Sequence, residues 1–486
     1  MNPPEKKNKT ALKYHLLFLF LLILFGAYGI YIIAHLPLQS WDESHNLLSA
    51  FEMQKSGDYI GITWRGNLDH WDIKPPLFTW IVALSYKIFG FSEFSSRLPS
   101  FLFGMGILIT FYFFFISLTK NYLMGIFTTF GLALSIGFFG QHGMITGDYD
   151  IMVSFFVLIS FISVYKIFFQ GMNIYFIFLG IALGLGFMAK SVAGIIPIAF
   201  LFSAFFRDKN QKIKLDYGLV VFAIILFYVL VIPYFLIRES MYHERYFSLL
   251  LNIDVLRRLN SVVEIHSGSW YFYLQQLGIV LKEWSKVFYA TFILFIFWII
   301  RFKKQQIPHF NILIHSLVAI LIYLILFSIA KTKITWYIHP VFPIMILFSG
   351  VGLITFINVK YHKMVYLFLL IIITYQGRNL VLYNNNLLSR DYEFMSKNII
   401  LPNKDLMKDK TIFSADTLQP SALTYTEIFT NGKHQLFDTY DQLNLHLISN
   451  TNFDMVLVTD TSKLLSKENL NLISAKAGMG LYERKR

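Results

Sequence analysis

The chain has 486 residues, of which 56% are hydrophobic and 51 are phenylalanine, against only 15% charged. That balance excludes an ordinary soluble domain and points to a protein of many membrane spans. The absence of cysteine excludes disulfides, zinc–thiolate sites and thiol nucleophiles. The net charge of +13 sits mainly in short loops between apolar runs, where it serves topology rather than nucleic-acid binding.

About eleven apolar runs are long enough for a hydrocarbon core of about 30 Å, at roughly 14–36, 98–119, 122–140, 149–169, 172–189, 191–206, 217–237, 284–300, 309–329, 335–356 and 364–377. The first is longer than a signal-peptide core and has no small-residue cleavage site after it, so it reads as a retained anchor. Lys190 and Ser191 interrupt one long apolar stretch and divide the fifth span from the sixth. Lysines and arginines gather in alternate loops: Lys6, Lys7, Lys9 and Lys13, then Lys120, Lys166, the run 207–214, Arg301 with Lys303 and Lys304, and Lys360 with Lys363. By the positive-inside rule these face the cytoplasm, which leaves two long loops, 37–97 and 238–283, on the outer face. Past residue 378 hydropathy drops, and short apolar runs alternate with helix-like stretches as in a small α/β domain. The expected division is a transmembrane domain over 1–377 and an extracytoplasmic α/β domain over 378–486, with the N-terminus cytoplasmic.

The first outer loop concentrates ionisable residues beside the membrane, where they are costly and therefore functional as a rule. Asp42 and Glu43 follow the first span directly and are candidates for a general base, or else for an acidic pair favoured at a helix start. In HWDIKPPLFTW, two prolines hold Lys74 in an extended segment and allow a helix to restart over 77–89, with Trp80 and Tyr86 as interfacial anchors. Asp150 opens the fourth span and requires a basic partner. Lys190, Lys331 and Lys333 fall on the outer side against the positive-inside bias, and an anionic phosphate ligand accounts for them economically. In the second outer loop His266 stands near Glu264; two metal ligands of a usual four form a weak site for a divalent ion.

Together these segments resemble the GT-C glycosyltransferases that use polyprenyl-phosphate sugars, in the branch of the protein O-mannosyltransferases and the lipid A aminoarabinose transferase. WDESHNLLSAFEMQKSGDYI, IKPPLFTWIVALSYKIFGFSEFSSRLPS, DYDIMVSFF, FMAKSVAGIIP and KITWYIHPVFP occur in the family's order. The resemblance implies Asp42 as the catalytic carboxylate, with Glu43 beside it. Lys74 and Lys190 become phosphate ligands, with Lys333 and Tyr337 near the donor headgroup. Asp150, Asp72 and Arg97 of the Arg-Leu-Pro motif are supporting residues, and His266 is a possible metal ligand. Two departures stand out: His45 replaces, as a weaker donor-phosphate ligand, an arginine that often follows the Asp-Glu pair, and Ile73 replaces a glutamate before Lys-Pro-Pro.

The implied reaction moves a sugar from a polyprenyl (undecaprenyl) phosphate to an acceptor hydroxyl or phosphate of a protein, lipid or cell-envelope glycan. It takes place at the outer face of a bacterial plasma membrane, and the sequence requires no cofactor. The alternative class is a transporter or flippase of lipid-linked glycans. It calls for paired broken helices and two-fold internal symmetry, neither of which the sequence displays.

Overall fold

The computed structural model describes residues 3–70, 73–207, 213–388, 391–415, 420–449, 453–465, 467–476 and 478–485. Among them, nine helices are long and apolar enough to cross a membrane. Nine of the eleven expected spans correspond to these. The other two differ: 122–140 holds a helix of only 12 residues, Tyr122–Ala133, and 191–206 holds the 3-10 helix Ile196–Phe206. A 3-10 helix rises about 2 Å per residue, so its 11 residues extend about 22 Å. An apolar run reveals its length in residues and hides its rise.

By packing, the chain forms two compact units. The first comprises Met1–Tyr31, Asp69–Phe78 and Pro99–Tyr383 and contains most of the apolar helices. Its helices interlock through large aromatic side chains. Phe18 stacks on Tyr112 at 3.7 Å, for example, and Trp284 is wholly buried with its indole N–H donating to Gln376. One intramembrane histidine, His315, is fully buried, with Nδ1 2.6 Å from the Ser203 hydroxyl and Nε2 2.9 Å from the Phe161 carbonyl. Both ring nitrogens are thereby satisfied, as burial demands.

The second unit comprises Ile32–Leu68, Thr79–Leu98 and Asn384–Arg486. It contains the helix Asp42–Ser56 and a short antiparallel hairpin of β1 (Thr63–Trp64) and β2 (Asn67–Leu68). Its sheet is formed by β3 (Thr411–Ala415), β4 (Lys433–Phe437), β5 (Met455–Val458), β6 (Leu470–Lys476) and β7 (Met479–Arg484). The strand order is β4-β3-β5-β7-β6, parallel for β4, β3 and β5 and antiparallel at β7 and β6. β5 is apolar and buried at every position, as a central parallel strand covered on both faces must be. Phe413, Leu443, Leu447, Val456, Val458 and Tyr482 form the core of this α/β element.

Most of the loop over 37–97 folds with the C-terminal segment. Leu38 donates to the Tyr425 hydroxyl at 2.9 Å, Tyr425 donates to Glu93 at 3.1 Å, Thr424 donates to the Ser44 carbonyl, and Arg65 donates to the His434 carbonyl. The helix expected over 77–89 is present as Leu77–Phe89. Tyr86, expected as an interfacial anchor, is instead buried, with its hydroxyl 3.0 Å from that of Ser96, because the helix turns that face inward.

Candidate active site

In the first unit the sequence places Lys74 by two means. Pro75 and Pro76 keep it out of a helix, and the Tyr246 hydroxyl donates to the Ile73 carbonyl at 2.8 Å. Tyr246 is fixed in turn by Arg238, a buried arginine whose guanidinium lies 4.0 Å from the ring centroid and donates to Tyr234. The chain Arg238, Tyr246, Ile73 therefore holds Lys74 in position. Its ammonium lies over the Tyr149 ring at 4.6 Å.

Lys190 reaches the same ring from another direction. The helix Tyr175–Lys190 ends there, Ser191 takes a positive φ of 49°, and the chain turns into 3-10 structure. Gly194 packs directly on the backbone of Gly186, where any Cβ would lie 2.0 Å from the Gly186 carbonyl group, so this return requires glycine. Lys190 is 4.9 Å from the Tyr149 centroid and 5.2 Å from that of Tyr337, and it is ion-paired with Asp150. Two ammonium groups on one ring are within about 10 Å of each other.

A third cation comes from the loop over 238–283. A π-helical turn, Leu251–Arg257, carries Asp254, which accepts from Ser191 at 2.6 Å and lies 3.7 Å from Arg258. Burial opposes the charge on Arg258, yet Tyr337 and Asp254 hold its guanidinium above the usual range. Asp150 is 2% exposed, and its second oxygen lies 3.5 Å from His142 Nδ1. His142 stacks on Trp336 at 3.7 Å.

The remaining candidates are placed differently. Lys333 is 5% exposed and donates to the carbonyls of Phe327, Ser328 and Ala330, capping the end of the helix Phe310–Ile329. Burial pushes its ammonium below the usual lysine range. His266 is half-exposed, 4.0 Å from Glu264, and its carbonyl accepts from the Lys333 amide. No group of three or more metal-ligating side chains occurs among the described residues. Asp72 lies outside the described residues.

In the second unit, Asp42 is the first residue of the helix Asp42–Ser56 and is partly exposed. Its neighbour Glu43 faces inward. Arg97 donates to Glu43 through Nε at 2.6 Å and Nη2 at 2.7 Å, and also to the carbonyls of Pro37, Leu36 and Ile33. Glu43 accepts in addition from the Gln39 amide at 2.6 Å. Glu43 and Arg97 are 2% and 0% exposed, a closed bidentate pair that ties the end of the first span to the helix start. His45 stacks on Trp64 at 4.3 Å, and Glu52 secures the same hairpin through Thr63 and the Gly66 amide.

Tyr149, Arg258 with Asp254, and the His142–Trp336 stack are the residues that sequence reasoning passed over. Tyr149 stands inside the DYD motif itself, and Arg258 is one of several arginines in a loop without periodicity to choose among them.

Comparison with known proteins agrees with this architecture. Residues 73–235 match the family model for dolichyl-phosphate-mannose-protein mannosyltransferases. Two uncharacterized proteins of Aquifex aeolicus (strain VF5) are 25% identical over 313 residues and 26% identical over 344, which is 64% and 70% of this chain. The chain spans 58% of the length of the first and 74% of the second. ArnT from Cupriavidus metallidurans superposes on it with a TM-score of 0.73 in the apo state and 0.72 bound to undecaprenyl phosphate. Each match covers 97% of this chain and 98% of that one, at 13% and 14% identity. The chain thus has the GT-C glycosyltransferase fold, a bundle of membrane-crossing helices with a small C-terminal α/β element. Its resemblance to the O-mannosyltransferase and aminoarabinose transferase branch holds at that level.

Proposed function

We propose that this protein is an integral-membrane glycosyltransferase. It moves a sugar from a polyprenyl phosphate carrier to an acceptor hydroxyl or phosphate on the outer face of the plasma membrane. The observation that carries the reading is the gathering of Lys74 and Lys190 over the ring of Tyr149, with Lys190 also over Tyr337 and with Arg258 paired to Asp254, which accepts from Ser191 next to Lys190. Two lysines held among aromatic faces next to apolar spans, with an arginine close by in the chain of contacts, suit a phosphate attached to a lipid, because charge-assisted bonds to an anion are strong where water is scarce. The cations stabilise the departing lipid phosphate, and the tyrosine faces guide its apolar neighbour.

The general base in this reading is Asp42. The Asp-Glu motif offers two carboxylates, and Glu43 is already committed to Arg97, whereas Asp42 is partly exposed at the helix start. Direct displacement at the anomeric carbon inverts its configuration. The ArnT crystal structure with undecaprenyl phosphate supports the carrier class by likeness of fold. Sugar transfer by the purified protein, measured with a panel of polyprenyl-phosphate sugars and candidate acceptors, tests the proposal. Turnover of one donor, lost in Asp42→Asn, is expected; no turnover and no binding of any lipid phosphate would overturn it.

A further inference from the structure

Asp148 and Asp150 are both 2% exposed, and Lys190 is the cation on the first oxygen of Asp150. His142 faces both carboxylates, its Nδ1 3.5 Å from Oδ2 of Asp148 and 3.5 Å from Oδ2 of Asp150. The imidazole is not free to turn away. Its residue adopts a positive φ of 55°, uncommon outside glycine, and a tight turn closes around it through Gly143 to Gly140 and Met144 to Phe138 hydrogen bonds. Trp336 covers one face of the ring at 3.7 Å.

Lys190 and His142 thus address different oxygens of one buried carboxylate. A lysine that turns from Asp150 to a phosphate leaves that carboxylate buried without a partner, a loss of several kcal/mol unless another cation replaces it. His142 already stands at the second oxygen. We propose that His142 is a positioning residue: as an imidazolium it takes over Asp148 and Asp150, which frees Lys190 to engage the lipid phosphate, so that donor binding takes up a proton. As neutral imidazole it leaves Lys190 tied to Asp150. This inference rests on the reading of the Lys74–Lys190 cluster as a lipid-phosphate site.

Several other groups face the histidine. They are His339, whose Nδ1 is 3.4 Å from the His142 carbonyl, Tyr383, whose hydroxyl meets the Gln141 amide, and, around Lys190, Lys74, Tyr149 and Tyr337. Of these His339 is the other imidazole, and it is the necessary control.

The probe is a polyprenyl methyl phosphate, a phosphodiester whose single charge is constant across the pH range used. Its affinity for the detergent-solubilised full chain is measured by calorimetry between about pH 6 and pH 8.5, in two buffers of different ionisation enthalpy, so that protons taken up are counted directly. A bound-state pKa for His142 one unit above the free one gives about a tenfold fall in affinity as pH rises through that window, with uptake peaking at about half a proton in mid-range. His142→Gln is expected to bind weakly at every pH. His142→Arg, stacked on Trp336 and always charged, should bind at the acid-limb affinity throughout, and His339→Asn should keep the wild-type slope. Wild-type affinity independent of pH with no proton uptake overturns the proposal, and so does a His142→Gln variant that retains the slope or a His339→Asn variant that loses it. If the variants do not fold, the wild-type proton count decides alone. Absence of binding at all pH values is a different result, and it removes the lipid-phosphate reading itself.

Discussion

Asp42 and Glu43 are adjacent carboxylates, and replacing each by its amide separates chemistry from architecture. Glu43 shares two short hydrogen bonds with Arg97 in a site from which water is excluded, and the guanidinium is satisfied further only by the carbonyls of Ile33, Leu36 and Pro37. Glu43→Gln keeps the volume but removes the counter-charge, leaving a buried guanidinium without its anion, a loss of roughly 3–5 kcal/mol. At about 2–4 °C per kcal/mol for a unit of this size, melting should fall by about 10 °C. The double variant Glu43→Leu/Arg97→Met, which removes both charges, should recover most of that loss. Asp42→Asn, at a partly exposed helix start, should melt within about 2 °C of wild type while transfer falls by about 10² to 10⁴, the usual cost of removing a general base. Thermal melting and initial rates on the same preparations provide the comparison. If Glu43→Gln melts like wild type yet loses transfer as Asp42→Asn is expected to, Glu43 performs the chemistry and the division of labour argued above is wrong.

Lys333→Met should lower stability by about 1–2 kcal/mol, as the carbonyls of Phe327, Ser328 and Ala330 lose their donor, while lipid-phosphate affinity measured by calorimetry changes less than about twofold. In the second unit, burial and the nearby Glu52 push Glu427 up to about 7 from an unfolded value near 4.5. A carboxyl raised on folding favours the folded state at low pH, and that advantage is lost as pH rises through 7. Stability should therefore rise between pH 8 and pH 5.5 by up to about 2 kcal/mol, and Glu427→Gln should flatten that limb in a pH series of thermal melts. From the loop charges, residues 37–97, 238–283 and 378–486 should all be extracytoplasmic. A C-terminal fusion to a reporter active only outside the cytoplasm should be active, and activity of a cytosolic reporter there would mean a miscounted span.

The spans were legible because bilayer thickness imposes a length rule on apolar runs, and the Lys190–Ser191 interruption marked a true change of helix type. The limits of that legibility are visible at residues 196–206, since 3-10 and α helices of one composition look alike in sequence. Four of the five C-terminal strands, all but β6, were readable from their apolar runs, but the place of the 37–97 loop in the same unit depends on long-range contacts such as Tyr425 with Leu38 and Glu93. At the site, Lys74 and Lys190 declared themselves as charges in apolar surroundings. Lys333 satisfies the same rule and is used otherwise, its ammonium folded back three to six residues onto helix carbonyls. Sequence position cannot tell which way a side chain turns. For the same reason Asp42 and Glu43 were equivalent in sequence, though about 100° apart around a helix.

The two lysines of the cluster should also part company when removed. Lys190 is paired with Asp150, which is buried with Asp148 beside it, so at alkaline pH, with His142 a neutral imidazole, Lys190→Met strands carboxylate charge at a cost of roughly 3–5 kcal/mol. Lys74 contributes a cation–π contact to Tyr149, whose loss is worth roughly 0.5–2 kcal/mol, and relieves repulsion from Lys190 at the same time. Lys74→Met should therefore melt near wild type and Lys190→Met well below it, although both weaken binding of polyprenyl methyl phosphate by about tenfold to a hundredfold, the worth of one charge-assisted bond. If both engage one phosphate, the double variant should lose more affinity than the two single losses multiplied, because in either single variant the phosphate shifts toward the remaining cation and recovers part of the loss. Full independence of the two effects would place the lysines on different ligands, and an unchanged melting temperature in Lys190→Met at alkaline pH would mean that Asp150 has a cation other than His142 to turn to. Asp150→Asn decides between these cases. In a Lys190→Met background it should restore stability without restoring affinity, since it removes the stranded charge but supplies no donor to the phosphate.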